Sequence, residues 1–217
     1  TKEELETCVK NAYADGSFPE EPTPLSVLSN TLSILELWHG PTSAFKDMAL
    51  QILPEFMSVA IKKSKKHNKI AILTATSGDT GKAALAGFKD AENVKIMVFY
   101  PAEGVSEMQK TQMITQEGEN LSVIAVRGNF DDAQTGVKNI FGDKEFAEIL
   151  KKRGYTLSSA NSINIGRLLP QVVYYYYAYF ALVRNGNLKL GDKINFAVPT
   201  GNFGNILACY YAEKTGL

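Results

Sequence analysis

The chain has 217 residues, of which 45% are hydrophobic, and its 23 basic and 23 acidic residues give a formal net charge of zero. This size and apolar content suffice for one large buried core. The balanced charge, which includes no long run of one sign, argues against nucleic acid or an anionic membrane as a partner.

The sparse cysteines and histidines exclude further classes of protein. Cys8 and Cys209 lie near opposite ends of the chain, and with only two histidines no metal-ligand spacing occurs, so we expect no metal and a reducing, cytoplasmic location. The most apolar stretch, residues 168–183, is interrupted by Pro170 and Gln171 and is too short to span a bilayer. Because the chain starts without methionine and stops soon after a predicted strand, we expect it to be a piece of a longer protein.

Hydrophobic periodicity predicts a helix over residues 2–13, a proline-rich connector over 18–24 and a strand over 32–38. A Gly-Pro turn then leads into a helix over residues 45–66, which we expect Pro54 to kink. From there, strands rich in apolar and β-branched residues alternate with helices. The predicted strands are 70–74, 95–100, 121–127, 155–159 and 194–198, and the predicted helices are 80–91, 106–117, 131–152 (interrupted at Gly142), 165–185 and 205–214. This alternation predicts an α/β fold with a parallel sheet of βαβ units.

Residues 39–49 (HGPTSAFKDMA) place Lys46 directly after Phe45, where a turn becomes a helix. An amine held against an apolar wall at a helix start is desolvated and faces a positive dipole end, so its pKa falls and it can form a Schiff base. For this stretch by itself, a solvated lysine in a first helical turn is the alternative.

Residues 74–82 (TATSGDTGK) follow a predicted strand and open a helix. Glycine N–H groups and the hydroxyls of Ser77 and Thr80 would form a small anion cradle. A nucleotide P-loop is excluded, because Thr76 stands in place of its first glycine and Ala83 in place of its magnesium ligand. A capped helix start that binds no ligand is the alternative.

Two later loops share the tripeptide Gly-Asn-Phe. Residues 128–132 read GNFDD, and residues 201–205 read GNFGN. Two acids in a first helical turn satisfy the helix dipole and repel a phosphate, so we expect the first loop to be only a helix cap. The second loop has glycines and asparagines in front of a helix, which is typical of a site for a dianion. It lacks the third glycine of a dinucleotide fingerprint.

A reactive lysine together with a phosphate cradle indicates pyridoxal 5′-phosphate as the cofactor. The loop from Ser77 to Thr80 is then free for a second anion, such as the carboxylate of an amino-acid substrate. Residues 159–167 (SANSINIGR) also follow a strand, and Arg167 is suited to bind a substrate phosphate through two hydrogen bonds. A capped helix whose arginine pairs with a surface acid is the alternative here.

Four motifs, in one order, together resemble the threonine synthase family, which has the tryptophan-synthase-β-like fold (fold type II) of pyridoxal-phosphate enzymes. They are HGPTxAFKDxA at 39–49, SGDTG at 77–81, NSINxGR at 161–167 and GNFGN at 201–205. The resemblance implies a carbon–oxygen lyase of threonine biosynthesis. It would convert O-phospho-L-homoserine and water to L-threonine and inorganic phosphate, in the cytoplasm, as a monomer or homodimer.

The resemblance also implies roles for individual residues. Lys46 would carry the cofactor as a Schiff base and shuttle protons, and Phe45 would shape the cofactor wall. The cofactor phosphate would be held by Gly201, Asn202, Phe203, Gly204 and Asn205. The substrate would be held by Ser77, Gly78, Asp79, Thr80, Asn161 and Arg167.

We expect three segments along the chain. These are an N-terminal segment over 1–40, a cofactor and substrate region over 41–190 with a smaller mobile subdomain at about 75–160, and the start of the phosphate-binding domain over 191–217. The family continues past residue 217 into the part that contacts the pyridine nitrogen. Another enzyme of this fold, a serine/threonine dehydratase or cysteine synthase, is one alternative, although those relatives usually carry Asn at the position of Asp79. A non-catalytic relative that binds a phospho-ligand is the other, and the retained Lys46 argues against it.

Overall fold

The computed structural model describes residues 1–14, 16–64, 68–162 and 164–217. The end of the predicted helix over 45–66 and Ile163 of the NSINxGR motif lie outside the described residues. In the part described, no helix combines the length and the hydropathy needed to cross a membrane.

A four-stranded parallel sheet is the centre of the fold, as the alternating pattern predicts. Its strands are β3 (Lys69–Ala75), β4 (Val94–Pro101), β5 (Leu121–Val126) and β6 (Tyr155–Ser159), in the spatial order β5-β4-β3-β6. The helices between them are α4 (Asp79–Phe88), α5 (Glu107–Ile114), α6 (Phe130–Gly142) and α7 (Lys144–Lys152). The predicted interruption at Gly142 is confirmed.

The sheet is covered on both faces because its strands are apolar at successive positions. Ile72 and Ile96, which are paired across β3 and β4, pack with Leu85 and Phe88 of α4. Leu73, the next residue along β3, points to the opposite face and packs in a cluster with α6. Continuous burial of this kind is typical of a central parallel strand.

The N-terminal part contains α1 (Lys2–Tyr13), which has the predicted bounds, followed by β1 (Leu25–Ser29) and β2 (Leu32–Leu35) in an antiparallel hairpin. The predicted strand over 32–38 ends early, at Leu35, and β1 is missing from the prediction. The residues of β1 are only half-buried or exposed, so their weak alternation marks an edge hairpin rather than a core strand.

The helix predicted over 45–66 is two helices, α2 (Asp47–Leu50) and α3 (Leu53–Lys63). The expectation of one helix kinked at Pro54 is wrong, because the break precedes the proline. Pro54 lies in the first turn of α3, where a missing N–H removes no helical hydrogen bond.

The C-terminal part pairs α8 (Ile165–Arg184) with α9 (Gly204–Lys214). The strand predicted over 194–198 is wrong, since these residues have no regular secondary structure and pair with no strand of the described chain. Its apolar residues pack against helices instead. The ring of Phe196 lies edge-on against Tyr175 of α8, with centroids 5.0 Å apart, and Val198 joins the same cluster.

Candidate functional site

A cavity of about 200 Å³ lies at the carboxyl ends of β3 and β6, beside the start of α9. Eight of the residues predicted for the site line it: Phe45, Lys46, Ser77, Arg167, Gly201, Asn202, Gly204 and Asn205. Four further residues complete the lining, and none of them was predicted for the site: Ser162, Gln171, Pro199 and Thr200. The chain therefore brings segments from four distant parts of the sequence to the edge of a parallel sheet where ligands bind in such folds.

Two larger depressions do not contain the predicted residues. One, of about 400 Å³, lies beside the amino ends of β3 and β4, and the other, of about 840 Å³, follows α8 and α9. The smaller cavity is the candidate site because the carboxyl ends of the strands and the predicted residues meet there. In the described residues no cluster of His, Cys, Asp or Glu could hold a metal ion.

Asp47 fixes the turn that precedes Lys46. The Asp47 carboxylate is fully buried and accepts hydrogen bonds from the Thr42 amide at 2.9 Å, the Thr42 hydroxyl at 2.7 Å and the Ala44 amide at 3.4 Å. These bonds tie the turn before Lys46 to the start of α2. Gly40 lies so close that a Cβ there would be 2.5 Å from the Asp47 Cβ. Sequence reasoning missed this role, although Asp47 stands within the quoted motif.

The environment of Lys46 favours the neutral amine. Burial lowers the pKa of Lys46, the carboxylate of Asp79 partly raises it, and the charges of Arg167 and Lys82 lower it further; the net shift is downward. The Nζ atom lies 3.5 Å from Asp79 Oδ2 and 4.6 Å from the centroid of the Phe45 ring. An amine in this setting is a better nucleophile than a solvated lysine, because less work is needed to deprotonate it.

Asp79 is held by three polar side chains. Its Oδ2 faces Lys46, while its Oδ1 lies 3.4 Å from Lys82 Nζ and accepts a hydrogen bond of 2.7 Å from Gln109 Nε2. Burial opposes ionisation of Asp79, but Lys46, Gln109 and Lys82 together outweigh burial and lower its pKa. Lys82 and Gln109 are functional candidates that sequence reasoning missed. The Gly-Lys pair at 81–82 was considered only as part of a P-loop, and Gln109 approaches from another helix.

The loop before α4 satisfies two N–H groups of this region with one of its own side chains. Thr76 Oγ1 accepts from the amides of both Gly78 and Gly81, each at 2.9 Å. Two N–H groups are therefore unavailable to an anion. Ser77 lines the cavity, whereas Gly78, Asp79 and Thr80 do not. Gly78 has a φ of +142°, which L side chains rarely adopt, and a Cβ there would lie 2.3 Å from Gln109 Oε1.

Asn161 and Phe203 also lie outside the cavity lining. Asn161 Nδ2 donates to the Ala75 carbonyl at 2.9 Å, which joins the carboxyl ends of β3 and β6. Phe203 is 72% exposed. These two side chains therefore shape or flank the site rather than line it.

The start of α9 is open toward the cavity. Phe203 is the N-cap residue of α9 and provides no side-chain hydrogen bond, and the first turn contains no acid. Main-chain N–H groups of a first turn have no partner within their own helix. Here they face a cavity lined by Gly204 and Asn205, and an anion would satisfy them.

Arg167 places an unpaired positive charge beside this helix start. The side chain is buried, its Nη1 donates to the Ala160 carbonyl at 2.9 Å, and its Nε has no hydrogen-bond partner among the described residues. Burial lowers the pKa of Arg167 to about 10. The alternative of an arginine paired with a surface acid is wrong, because Arg167 is buried and makes no ion pair in the described chain. A buried guanidinium that lines the cavity and has no ion partner among the described residues is suited to bind an anion there.

Comparisons with known proteins agree with this arrangement. The family model described as "Pyridoxal-phosphate dependent enzyme" matches residues 17–216. The human protein "Threonine synthase-like 1" is 44% identical over 215 residues, which cover 96% of this chain and 28% of that protein. Threonine synthase of Schizosaccharomyces pombe is 41% identical over 221 residues, which cover 99% of this chain and 41% of that protein. The chain thus spans well under half the length of these curated relatives.

Solved structures show the same likeness. The structure of PLP-bound threonine synthase from Brucella melitensis superposes with a TM-score of 0.83 and 39% identity, over 99% of this chain and 43% of that one. Yeast threonine synthase superposes with a TM-score of 0.82 and 39% identity, over 98% of this chain and 42% of that one. A hydrogen sulfide-producing enzyme from Fusobacterium nucleatum, at 17% identity and a TM-score of 0.61, shares the fold alone. The expected fold class and resemblance are confirmed.

Proposed function

Because the chain belongs to the pyridoxal-phosphate-dependent enzyme family, we propose that it forms the lysine-bearing part of a threonine synthase. The reaction is the conversion of O-phospho-L-homoserine and water to L-threonine and inorganic phosphate. One observation carries the proposal. A single cavity combines a lysine of lowered pKa, a helix start without a side-chain cap and a buried arginine that has no counter-ion among the described residues.

These residues fit pyridoxal 5′-phosphate, which has an aldehyde at one position and a dianionic phosphate at another. Lys46 would hold the aldehyde, and the loop from Gly201 to Asn205 would hold the phosphate through the first-turn amides of α9. Phe203 would contribute only its main chain, because its ring is exposed. When bound, the cofactor supplies an electron sink for the carbanion formed at the substrate α-carbon.

The chain's own residues would hold and move the protons. Lys46 Nζ, free once the substrate's own amine has taken its place at the aldehyde, would take the α-proton of the substrate and return protons to the product. Its lowered pKa suits an amine that must act as a base. Asp79 restrains Lys46 Nζ at 3.5 Å, and the Phe45 ring covers one side of the amine and limits the access of water. Lys82 neutralises the second oxygen of Asp79.

We assign the substrate's two anionic groups to different parts of the cavity. The Ser77 hydroxyl, which lines the cavity, would hold the carboxylate, with Gly78, Asp79, Thr80 and Asn161 maintaining the shape of that loop. Arg167 would face the phosphate that leaves as inorganic phosphate, because its buried charge has no other partner in the described chain. Charge-assisted bonds of this kind strengthen as negative charge develops on the leaving group.

We also propose how the chain is divided into segments, where it acts and in what state it occurs in solution. Residues 41–190 would form the cofactor and substrate region, which contains the parallel sheet and half of the cavity lining, with a mobile subdomain at 75–160. Residues 1–40 would form an N-terminal segment, and residues 191–217 would bring the phosphate loop and the other half of the lining. A cytoplasmic role in amino-acid biosynthesis and a small-molecule partner accord with the zero net charge and with two free cysteines. The state in solution would be a monomer or homodimer.

The cofactor assignment is tested by chemical labelling. The folded chain is incubated with pyridoxal phosphate and reduced with borohydride, and the adduct is located by peptide mass spectrometry. We expect one stoichiometric adduct on Lys46, which Lys46→Ala abolishes. Lys82→Met is the matched control, since it removes a neighbouring buried lysine. Labelling of Lys82 or of scattered surface lysines in the folded protein would contradict the proposal.

The substrate class is tested by absorbance titration of the loaded chain, that is, the chain with pyridoxal phosphate bound. O-phospho-L-homoserine should perturb the cofactor spectrum at lower concentration than L-homoserine, L-serine or L-threonine. A stronger response to L-serine or L-threonine would favour the dehydratase alternative instead.

A further inference from the structure

We propose that Tyr174 and Tyr175 are positioning residues that orient the side-chain amide of Asn205, so that its Nδ2 donates a hydrogen bond into the cavity. The inference rests on the proposed function, because it concerns the cofactor phosphate that the loop from Gly201 to Asn205 would hold. It assigns a role to two residues of α8 that do not line the cavity themselves.

The contacts converge on one oxygen atom. Asn205, the second residue of α9, is only 6% exposed. The Tyr174 hydroxyl donates to Asn205 Oδ1. The Tyr175 hydroxyl lies 2.7 Å from the same Oδ1 and 3.1 Å from the Asn205 carbonyl oxygen. Two phenols from successive residues of one helix therefore hold one amide oxygen of another helix.

The tyrosines act as donors because both stay protonated. Burial raises the pKa of each phenol above its ordinary value, and each pKa is also affected by the neighbouring tyrosine. With Oδ1 occupied by O–H donors, the amide presents Nδ2 on its opposite side. Nδ2 donates to no acceptor in the part of the chain described, and Asn205 lines the cavity beside Gly204. An anion there would accept from it.

The same face of α8 also carries the cation of the site. Arg167, Gln171 and Tyr174 are spaced four and three residues apart, so they share one side of the helix. Gln171 Nε2 donates to the Arg167 carbonyl at 2.6 Å, and Gln171 Oε1 lies 3.3 Å from the Tyr174 hydroxyl. Because the single Tyr174 O–H proton goes to Asn205 Oδ1, the Gln171 oxygen is a close neighbour and not a second acceptor. The turn that bears the guanidinium therefore packs beside the Asn205 amide through Gln171 and Tyr174.

The tyrosine run contains its own control. Tyr176 follows Tyr175 directly, but its hydroxyl contacts the Ala212 carbonyl at 3.2 Å and the Thr215 hydroxyl at 2.9 Å, at the far end of α9. Tyr176→Phe therefore removes the same atom from the same helix pair without touching Asn205.

The test compares two ligands that differ only in the phosphate. Dissociation constants of pyridoxal phosphate and of pyridoxal are measured by absorbance titration of the Lys46 adduct. The chains compared are the wild type, Tyr174→Phe, Tyr175→Phe, the double variant and Tyr176→Phe. Losing an oriented donor to a charged acceptor should weaken pyridoxal phosphate binding by about tenfold to a hundredfold in the double variant. Pyridoxal binding should not change, and Tyr176→Phe should change neither.

A second substitution keeps the test informative if the double variant unfolds. Asn205→Asp retains an acceptor for both phenols and replaces the donor by an acid, so it should bind pyridoxal normally and lose affinity for pyridoxal phosphate. Equal loss of both ligands in the tyrosine variants, or no loss of either, would overturn the inference and leave the proposed function standing. Failure of the wild-type chain to form an adduct at Lys46 with either ligand would overturn the proposed function, and the inference with it.

Discussion

Two loops of this chain begin with Gly-Asn-Phe and precede a helix, yet one is closed by its own side chains and the other is open. In the loop at 128–132, the Asn129 side chain accepts from the Asp132 amide at 3.0 Å and the Asp132 carboxylate accepts from the Asn129 amide at 2.8 Å. This reciprocal pair is a capping box, and it confirms the helix cap expected there. In the loop at 201–205, no side chain caps the helix.

The difference arises from the two residues that follow the tripeptide and from what packs behind them. Asp132 reaches back to its own loop, whereas Asn205 is drawn away from its loop by the phenols of α8. Gly128 has a φ of +142°, with Asp132 Oδ2 only 2.6 Å from where a Cβ would lie, while Gly201 has open space around that position. A helix start becomes available to a ligand when the protein does not use its N–H groups itself.

The largest effect should come from converting the open loop into the closed type. Changing Gly204 and Asn205 both to Asp turns GNFGN into GNFDD, which offers a capping carboxylate and places negative charge where a phosphate would bind. We expect pyridoxal phosphate affinity to fall by at least about a hundredfold in absorbance titration. Gly204→Ala adds the Cβ without the charge and should retain most of the affinity. Wild-type affinity in the double variant would contradict the assignment of this loop.

The next effect concerns the arginines beside the two loops. Arg167→Met removes the buried cation near the open loop and should weaken binding of O-phospho-L-homoserine to the loaded chain by roughly ten- to a hundredfold, which corresponds to a lost charge-assisted hydrogen bond. Binding of L-homoserine should change little. Arg127→Gln, at the exposed start of the closed loop, is the control and should leave both ligands unaffected. Equal weakening of both ligands would show that Arg167 does not face the phosphate.

The third prediction concerns Asp79, the acid in the first turn of α4, and its influence on the pKa of Lys46. The Asp79 carboxylate raises the pKa of Lys46, and Lys82 lowers it. Asp79→Asn should therefore lower the pKa of Lys46, so that reductive labelling of Lys46 reaches its plateau at lower pH. Lys82→Met should move the profile to higher pH. Rates of adduct formation against pH, measured by mass spectrometry, check both signs. Shifts in the same direction would contradict the electrostatic account.

The smallest effect belongs to the closed loop. Asn129→Ala removes the cap of α6 and should lower the free energy of unfolding by about 1 kcal/mol, measured by urea denaturation. Affinity for pyridoxal phosphate should stay unchanged, because this loop does not line the cavity. Asp131→Ala, which removes a first-turn acid outside the capping box, should cost only about 0.5 kcal/mol. A large change of cofactor affinity in either variant would show that the two loops are not independent.

Much of the fold could be predicted because parallel strands carry a local pattern. Ile72 and its neighbours in β3 are apolar at successive positions, and the helices between the strands begin at recognisable caps such as Asn129. The strand expected over 194–198 shows where this reasoning stops. Its residues have a strand-like pattern, but a strand also needs a hydrogen-bonded neighbour, and the described chain supplies none. The hairpin strand at Leu25–Ser29 is the opposite case, a strand that exists but was not predicted. Its residues are half-buried or exposed, so its sequence carries little hydrophobic signal.

For the site, the sequence by itself determined which loops have glycines, hydroxyls and a lysine at a helix start. On that basis Lys46, Ser77, Arg167 and the 201–205 loop were predicted for one site, and all of them except Phe203 line one cavity. Only the tertiary structure decided how their atoms are oriented. Gln109 reaches Asp79, and Tyr175 reaches Asn205, across 30 residues of sequence in each case. A turn or a cap is satisfied within a few residues, so its signal is local. The direction of a carboxylate or an amide depends on which distant side chain packs against it, and that is settled only when the helices meet.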